Sequence, residues 1–203
     1  LGRLDGQVSL DEVLAHLRML AASTDLPVNA DFEGGFADAA HDVAANVARV
    51  IDTGIAGLSI EDRKGPELYP LPRAIERIAA ARAAIDASGQ DVLLVARTEG
   101  LLIGKLDVDS AIERLVAFRD AGADCLFAPG VKALPEIRRM VAAAGSVPLN
   151  VLLMGAGMEV ADLAAAGVRR ISTGAGLAAA AWAGFEQVAT MLRDAGRVPD
   201  RPA

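Results

Sequence analysis

The feature that most constrains the fold of this chain is a junction that recurs along it. A helical segment ends in acidic or alanine residues, a glycine follows, and an apolar run begins one or two residues later, as at 52–54, 120–122 and 165–167. Glycine suits the position after a helix because it adopts the left-handed conformation at little cost. Short helix-to-strand turns with longer strand-to-helix loops are typical of parallel α/β folds. The sequence therefore predicts either a doubly wound sheet or a (β/α)8 barrel.

Helical and extended segments alternate along the 203 residues. The predicted strands cover 26–32, 56–60, 92–96, 123–127, 147–153 and 168–173, and the predicted helices cover 9–22, 39–52, 72–88, 108–121, 135–144, 159–166 and 177–194. Each of the six strands is followed by a helix, and the first helix has no strand before it. This pattern favours a (β/α)8 TIM-type barrel seen from its second helix onward. We expect one partial barrel domain of six βα units over residues 1–203.

Composition narrows the class of protein and its partners. The formal net charge of -7 argues against nucleic acid or an anionic membrane as the main partner, because both bind basic patches. No apolar run is long enough to span a membrane. The chain has one cysteine, which excludes an internal disulfide and a cysteine-rich metal site. A reducing cytoplasm is therefore the expected location.

Polar side chains gather where the predicted strands end. The first strand runs into Asn29, Asp31 and Glu33 at alternate positions, which share one face of a strand, and two glycines follow. The second strand delivers Glu61 and the third delivers Arg97. Sites in both candidate folds lie beyond the carboxyl ends of the strands. Such oxygen-bearing side chains could hold a hard divalent cation or a proton in transit, and the structural alternative is a strand that simply runs into a polar loop.

Acidic residues from two strands and Arg97 from a third would be costly to bury together unless a cation and an anion were bound between them. The histidines His16 and His41 do not form a metal pair, so oxygen ligands and Mg²⁺ or Mn²⁺ are favoured over zinc. The planar fork of Arg97 matches a carboxylate or a phosphonate. A salt bridge from Arg97 to Glu61 or Glu99 is the structural alternative.

Four ordered motifs resemble the isocitrate lyase and phosphoenolpyruvate mutase superfamily, and they lie at 28–35, 59–62, 95–99 and 122–124. The resemblance extends over nearly the whole chain. It implies a (β/α)8 barrel in which magnesium binds an α-oxo acid or its enolate. It also implies homo-oligomers, dimers or tetramers, that exchange a C-terminal helix.

Position by position, the resemblance implies roles for single residues. Asp31 resembles the direct metal ligand, and Glu61 resembles the acid that holds metal-bound water. Arg97 resembles the residue that grips the carboxylate or phosphonate of the substrate. Asp5 resembles a family aspartate that faces the metal site and is expected to act in catalysis.

Two departures from the family pattern shape the expected activity. Asn29 stands where many members have the first aspartate of an Asp-x-Asp pair, so a metal ligand there would lack one negative charge, and Glu33 is a candidate to replace that charge. The loop at 63–69 lacks the Lys-x-Cys-Gly-His segment of isocitrate and methylisocitrate lyases, so neither of those activities is expected. We expect a magnesium-dependent enzyme that acts on a small α-oxo acid by C–C cleavage or decarboxylation through an enolate. The alternatives are P–C bond chemistry on a phosphonate, by a mutase or a hydrolase, and a catalytically silent barrel that only binds oxo acids.

Overall fold

Helices and strands alternate in the order that the sequence predicts. The computed structural model describes residues 6–155 and 157–200. In chain order its elements are α1 (Leu10–Ala22), β1 (Asn29–Asp31), α2 (Ala40–Ile51), β2 (Gly57–Glu61), β3 (Arg63–Lys64), β4 (Glu67–Leu68), α3 (Leu71–Ser88), β5 (Leu93–Arg97), α4 (Val108–Asp120), β6 (Cys125–Phe127), α5 (Leu134–Ala144), β7 (Leu149–Leu152), α6 (Val160–Ala165), β8 (Arg170–Ser172) and α7 (Gly176–Ala195).

Six of the strands form one parallel sheet in the order β1-β2-β5-β6-β7-β8. Spatial order follows chain order, as it does around a barrel, and the sheet is curled. The fold is therefore a partial TIM-type barrel, and the predicted fold class is confirmed. That residues 1–203 form a single domain stays a prediction.

The two faces of the sheet have different neighbours because successive side chains in a strand point to opposite sides. Outward-facing residues pack with the apolar faces of the helices in the main core, among them Ala30, Leu58, Ile60, Leu94, Ala96, Leu126, Leu149 and Val151. On the inner face, Val95, Cys125 and Phe127 form a second, smaller cluster with Leu152. The functional side chains follow on this inner face, at the carboxyl ends of the strands.

Two local features differ from what the sequence pattern suggests. Leu93, in the apolar run 92–96, is 54% exposed, because it lies on the inner face at the amino end of the sheet, away from the helix layer. The predicted loop at 63–69 contains a short antiparallel hairpin of β3 and β4, which turns at Gly65 with a φ of 58°. Glycine adopts this left-handed conformation readily, so the turn is well suited to its sequence.

The last helix stands apart from the core. No residue of α7 is buried, and it exposes Leu177, Trp182, Phe185 and Leu192. None of the helices in the described ranges is both long enough and apolar enough to cross a membrane. The apolar face of α7 is therefore a surface feature that the fold of the described chain does not explain.

Candidate active site

The carboxyl ends of β1, β2 and β5 border one cleft of about 380 Å³. Register places Glu61 opposite Arg97, and Asp31 opposite Ser59 one strand away. The cleft is lined by Gly6, Asp31, Glu33, Gly34, Glu61, Arg63, Gly65, Arg97 and Glu99. Its charged groups among the described residues are four carboxylates and two guanidinium groups.

Arg97 lies at the centre of these charges. Its Nε donates a hydrogen bond to Glu99, its Nη1 lies 3.2 Å from Asp31 Oδ2, and its Nε lies 3.8 Å from Glu61 Oε2. The guanidinium also lies over the Phe127 ring, 5.4 Å from the centroid. Burial alone would lower the pKa of Arg97, but the hydrogen bond and charge of Glu99, with Asp31 and Glu61, raise it. The salt bridge named above as the structural alternative is therefore present, with Asp31 as a further partner.

Glu61 is the carboxyl group whose ionisation is most altered in the cleft. Burial, together with the negative charges of Glu99 and Asp31, raises its pKa to about 7, although Arg97 opposes this rise. Its side chain is 17% exposed. A carboxyl group that titrates near neutrality can both donate and accept a proton under physiological conditions.

Glu99 was missed as a site residue and is the most buried carboxylate of the cleft, at 1% exposure. Its backbone N–H donates to Asp62 Oδ1 at 3.0 Å, and Asp62 in turn forms a buried ion pair with Arg114 at 2.9 Å. Burial raises the pKa of Asp62, while the hydrogen bonds from Glu99 and Arg114 act against this. One signal was available: Glu99 follows Arg97 at the spacing that keeps two residues of an extended chain on one face.

The remaining predicted site residues differ in their placement. Glu33 lines the cleft, and its Oε1 lies 3.4 Å from the backbone nitrogen of Gly6. Asn29 does not line the cleft: it lies two residues earlier in β1, and its Nδ2 donates to the carbonyl oxygen of Ala30 at 3.2 Å. The structure therefore separates Asn29 from the other expected ligands, and its role as a ligand stays a prediction. Asp5 lies outside the described residues.

The chemistry of the donor groups fits a hard divalent cation. The side chains of the cleft that can bind a metal are all carboxylates, whose oxygens Mg²⁺ and Mn²⁺ prefer, and these carboxylates outnumber the guanidinium groups. Within 6–155 and 157–200, no three acidic, histidine or cysteine side chains are already gathered in a metal-binding arrangement. Asp31 and Glu61 are two side chains of the cleft that could hold a cation.

Comparison with known proteins decides the family. The family model of phosphoenolpyruvate phosphomutase matches residues 1–193. The chain belongs to this family. The phosphoenolpyruvate phosphomutase family is part of the superfamily that the four sequence motifs resemble, so that recognition is confirmed.

This chain is similar to two curated enzymes over most of its length. It is 34% identical over 196 residues to the oxaloacetate decarboxylase of Rhodopseudomonas palustris strain BisB5, covering 92% of this chain and 66% of that one. It is 36% identical over 160 residues to the 2-methylisocitrate lyase of Escherichia coli K12, covering 74% of this chain and 53% of that one. The chain thus spans between half and two thirds of the length of these curated relatives.

A solved structure shows the same fold at higher coverage. Oxaloacetate acetylhydrolase in complex with the product oxalate matches with a TM-score of 0.89 and 28% identity, over 99% of this chain and 72% of that one. In that relative the fold holds oxalate, a two-carbon dicarboxylate.

Proposed function

We propose that the protein is a magnesium-dependent enzyme that acts on a small α-oxo acid by C–C bond cleavage or decarboxylation through an enolate. The observation that carries this proposal is the cleft in which Arg97 faces Glu61, a carboxyl group with a pKa of about 7. Relatives named oxaloacetate decarboxylase and oxaloacetate acetylhydrolase support this class of substrate.

Arg97 would bind the carboxylate of the oxo acid. Its planar fork can form two parallel hydrogen bonds with a carboxylate, which a lysine cannot reproduce. The substrate carboxylate would take the place of the Asp31 carboxylate at Nη1 of Arg97. Asp31, whose side chain is 68% exposed, would then turn toward the cation. Glu99, at 1% exposure, would stay behind the guanidinium and fix its orientation.

Asp31 and Glu61 would hold the cation, and Glu33 would add negative charge at the rim of the cleft. When bound, Mg²⁺ would polarise the oxo group and stabilise the enolate that bond breaking leaves. Glu61 would hold or release a proton at its carboxyl group near neutral pH, because burial has brought its pKa to about 7.

The test is incubation of the purified protein with oxaloacetate and Mg²⁺. Decarboxylation gives pyruvate and carbon dioxide, while hydrolytic cleavage gives oxalate and acetate, and product analysis separates the two. Addition of EDTA should stop either reaction. Absence of both reactions, with oxaloacetate and with substituted oxo and hydroxy diacids, would contradict the proposed activity.

Isocitrate and 2-methylisocitrate should not be cleaved. The segment 63–69, which contains the hairpin of β3 and β4, has no cysteine that could act as the thiol proton donor. A coupled assay for glyoxylate, succinate and pyruvate would detect cleavage. Robust product release from either compound would show that the missing segment is not needed.

P–C bond chemistry is the second candidate, and one observation favours it beyond the family match. Arg63 lines the cleft together with Arg97, so two guanidinium groups could share a phosphonate. Phosphorus NMR of phosphonopyruvate incubated with the protein would show a mutase or hydrolase product. Binding of oxalate without turnover of any of these compounds would instead indicate a catalytically silent barrel.

We also propose that the protein forms homo-oligomers, dimers or tetramers, through α7. Its exposed Leu177, Trp182 and Phe185 form the kind of apolar surface that subunits bury. Sedimentation analysis of the parent and of Trp182→Asp would test this, because the charged variant should dissociate. The expected cytoplasmic location stays a prediction.

A further inference from the structure

The loop between β1 and α2 forms one wall of the cleft and has an unusual backbone. It follows Asp31 and contributes Glu33 and Gly34 to the cleft. Glu33 has a φ of 45° and Phe36 a φ of 56°, although neither is glycine. Such conformations cost free energy and persist only where neighbouring groups fix them. Some group outside the loop must therefore hold it in shape.

Arg77 on α3 is the most buried of the side chains outside the loop that donate hydrogen bonds to it. It is 1% exposed, and within the described residues its hydrogen bonds all go to main-chain carbonyl oxygens of this loop. Nη1 donates to Ala37 and to Asp38 at 2.6 Å each, and Nη2 donates to Gly34. Nε has no partner among the described residues. The guanidinium thus satisfies three carbonyl groups that the turning loop cannot pair internally.

Neighbouring groups fix both Arg77 and the loop from other directions. The Tyr69 ring lies under the guanidinium, 4.3 Å from its carbon to the ring centroid, and the Tyr69 hydroxyl donates to Asp38. On the cleft side, the backbone N–H of Glu61 donates to the carbonyl oxygen of Glu33 at 2.9 Å. The loop is held between Arg77 on its outer side and β2 on its inner side.

The chemistry of this contact does not fit a purely stabilising role. A buried guanidinium is desolvated, and burial lowers the pKa of Arg77. Packed apolar side chains usually stabilise a helix–sheet interface as well as a buried charge does. What the arginine adds is a fixed, planar set of donors that defines where the loop backbone runs. Gly34 keeps that approach open, because a Cβ there would lie 3.3 Å from Arg77 Nη2.

We propose that Arg77 is a positioning residue: from the outer side of the barrel, it holds the β1–α2 loop so that Asp31 and Glu33 face the cleft. Its action on cation binding rests on the proposed function, whereas its action on the loop does not. Among the described residues that line the cleft, Arg77 forms a hydrogen bond only with Gly34, through the backbone carbonyl oxygen of that residue.

The chain offers a matched control on the same helix. Arg82 is also largely buried, and its Nε likewise has no partner among the described residues. It pairs with Asp124 and Asp86 at the amino end of the sheet, far from the loop. Arg77→Met and Arg82→Met thus remove the same group at positions five residues apart on α3, one beside the loop and the other beside Asp124.

The experiment compares hydrogen–deuterium exchange of residues 32–39 and Mn²⁺ affinity by electron paramagnetic resonance, each at a fixed interval below the melting temperature of the variant. Arg77→Met should speed loop exchange and weaken Mn²⁺ binding roughly ten- to hundredfold, the effect of losing charged hydrogen bonds. Arg82→Met should change neither. Arg77→Lys should fall between, and it decides the matter if Arg77→Met does not fold.

Unchanged loop exchange in Arg77→Met and Arg77→Lys would overturn the proposal, as would an equal effect of Arg82→Met. If the parent protein binds no Mn²⁺, the proposed function fails, and loop exchange alone still decides the role of Arg77. If exchange changes while Mn²⁺ affinity does not, the loop does not set the position of the metal-binding carboxylates and the proposal is wrong.

Discussion

The two ends of the sheet carry clefts of similar size, about 380 Å³ at the carboxyl end and about 330 Å³ at the amino end, and similar charged side chains line both. Both contain arginine–carboxylate pairs. At the amino end, Arg82 lies 2.7 Å from Asp124 and 2.8 Å from Asp86, and Asp124 also accepts a hydrogen bond from the Leu94 backbone. These carboxylates remain open to water, with Asp86 67% and Asp124 34% exposed.

At the carboxyl end the balance is different. Glu61 and Glu99 are removed from water beside each other, and Arg97 is shared among three carboxylates. The pKa of Glu61 rises to about 7 as a consequence. Cleft size therefore does not distinguish a structural site from a functional one here. The two kinds of site differ in negative charge that is removed from water and only partly neutralised by the protein, because such charge favours a bound cation or a bound proton.

The largest effect should come from Asp31→Ala, which should abolish binding of Mg²⁺ or Mn²⁺. Asp31 is 68% exposed, so its loss should leave the melting temperature nearly unchanged. Calorimetric titration and thermal unfolding measure the two quantities. Asp124→Ala at the opposite end is the control, because it should lower stability and leave cation binding intact. Undiminished binding by Asp31→Ala would remove the distinction between the two ends.

Next in size is Arg97→Lys. Lysine keeps the charge and loses the fork, so oxalate binding should weaken by about 1.5–3 kcal/mol, the range for a charged hydrogen bond. The fold and cation binding should persist. Calorimetry with oxalate in the presence of Mn²⁺ gives the affinity. A variant that binds oxalate as tightly as the parent, or that loses thermal stability instead, would show that Arg97 is a structural residue like Arg82.

Sequence alone predicted the sheet order and the cleft at its carboxyl end because both follow from local signals. Glycine after all the helices but α1, together with the apolar strand runs, indicates the topology, and the strand ends indicate the position of Asp31, Glu61 and Arg97. The hairpin of β3 and β4 gave no such signal, because each of its strands is only two residues long and none of these residues is buried. Whether a strand end is hydrated or desolvated depends on neighbours distant in sequence.

The burial of Arg77 had a signal in the sequence, but the usual preference of charged residues for solvent argues against it. Arg77 falls on the face of α3 that also carries the buried Ala74, Ile78 and Ala81, at helical spacing. A charged residue at such a position is ordinarily expected to reach solvent. Its partners are carbonyl groups of a loop that lies earlier in the chain, with Ala37 40 residues before it. Helical periodicity carries no information about such distant partners.

The pH dependence of stability offers a third test. The folded-state pKa of Glu61, about 7, lies above its ordinary value of 4.5, so the folded protein binds this proton more tightly than the unfolded chain. Its contribution is complete below pH 4.5 and is lost as pH rises through about 7. The unfolding free energy of metal-free protein should therefore fall between pH 5 and 8, on the order of 2 kcal/mol.

Urea unfolding in EDTA measures this decline, and Glu61→Gln should largely remove it. Asp124→Asn at the amino end should retain it. A decline that persists in Glu61→Gln would assign the titration to another group. An increase in stability over the same range would show that Glu61 is ionised in the folded protein well below neutrality.

The smallest effect is expected for Lys105→Ala. This variant tests whether exposed ion pairs near the cleft contribute to stability and oxalate binding, or whether only buried ones do. Lys105 Nζ lies 2.7 Å from Glu67 Oε1, on the hairpin beside the cleft, but the two side chains are 44% and 65% exposed. Water and salt screen such a pair, so its removal should change the unfolding free energy by only roughly 0–1 kcal/mol. Oxalate affinity should not change, because neither residue lines the cleft. A tenfold loss of oxalate affinity in this variant would mean that an exposed pair holds the hairpin over the cleft, and desolvation would then no longer separate functional from structural ion pairs in this protein.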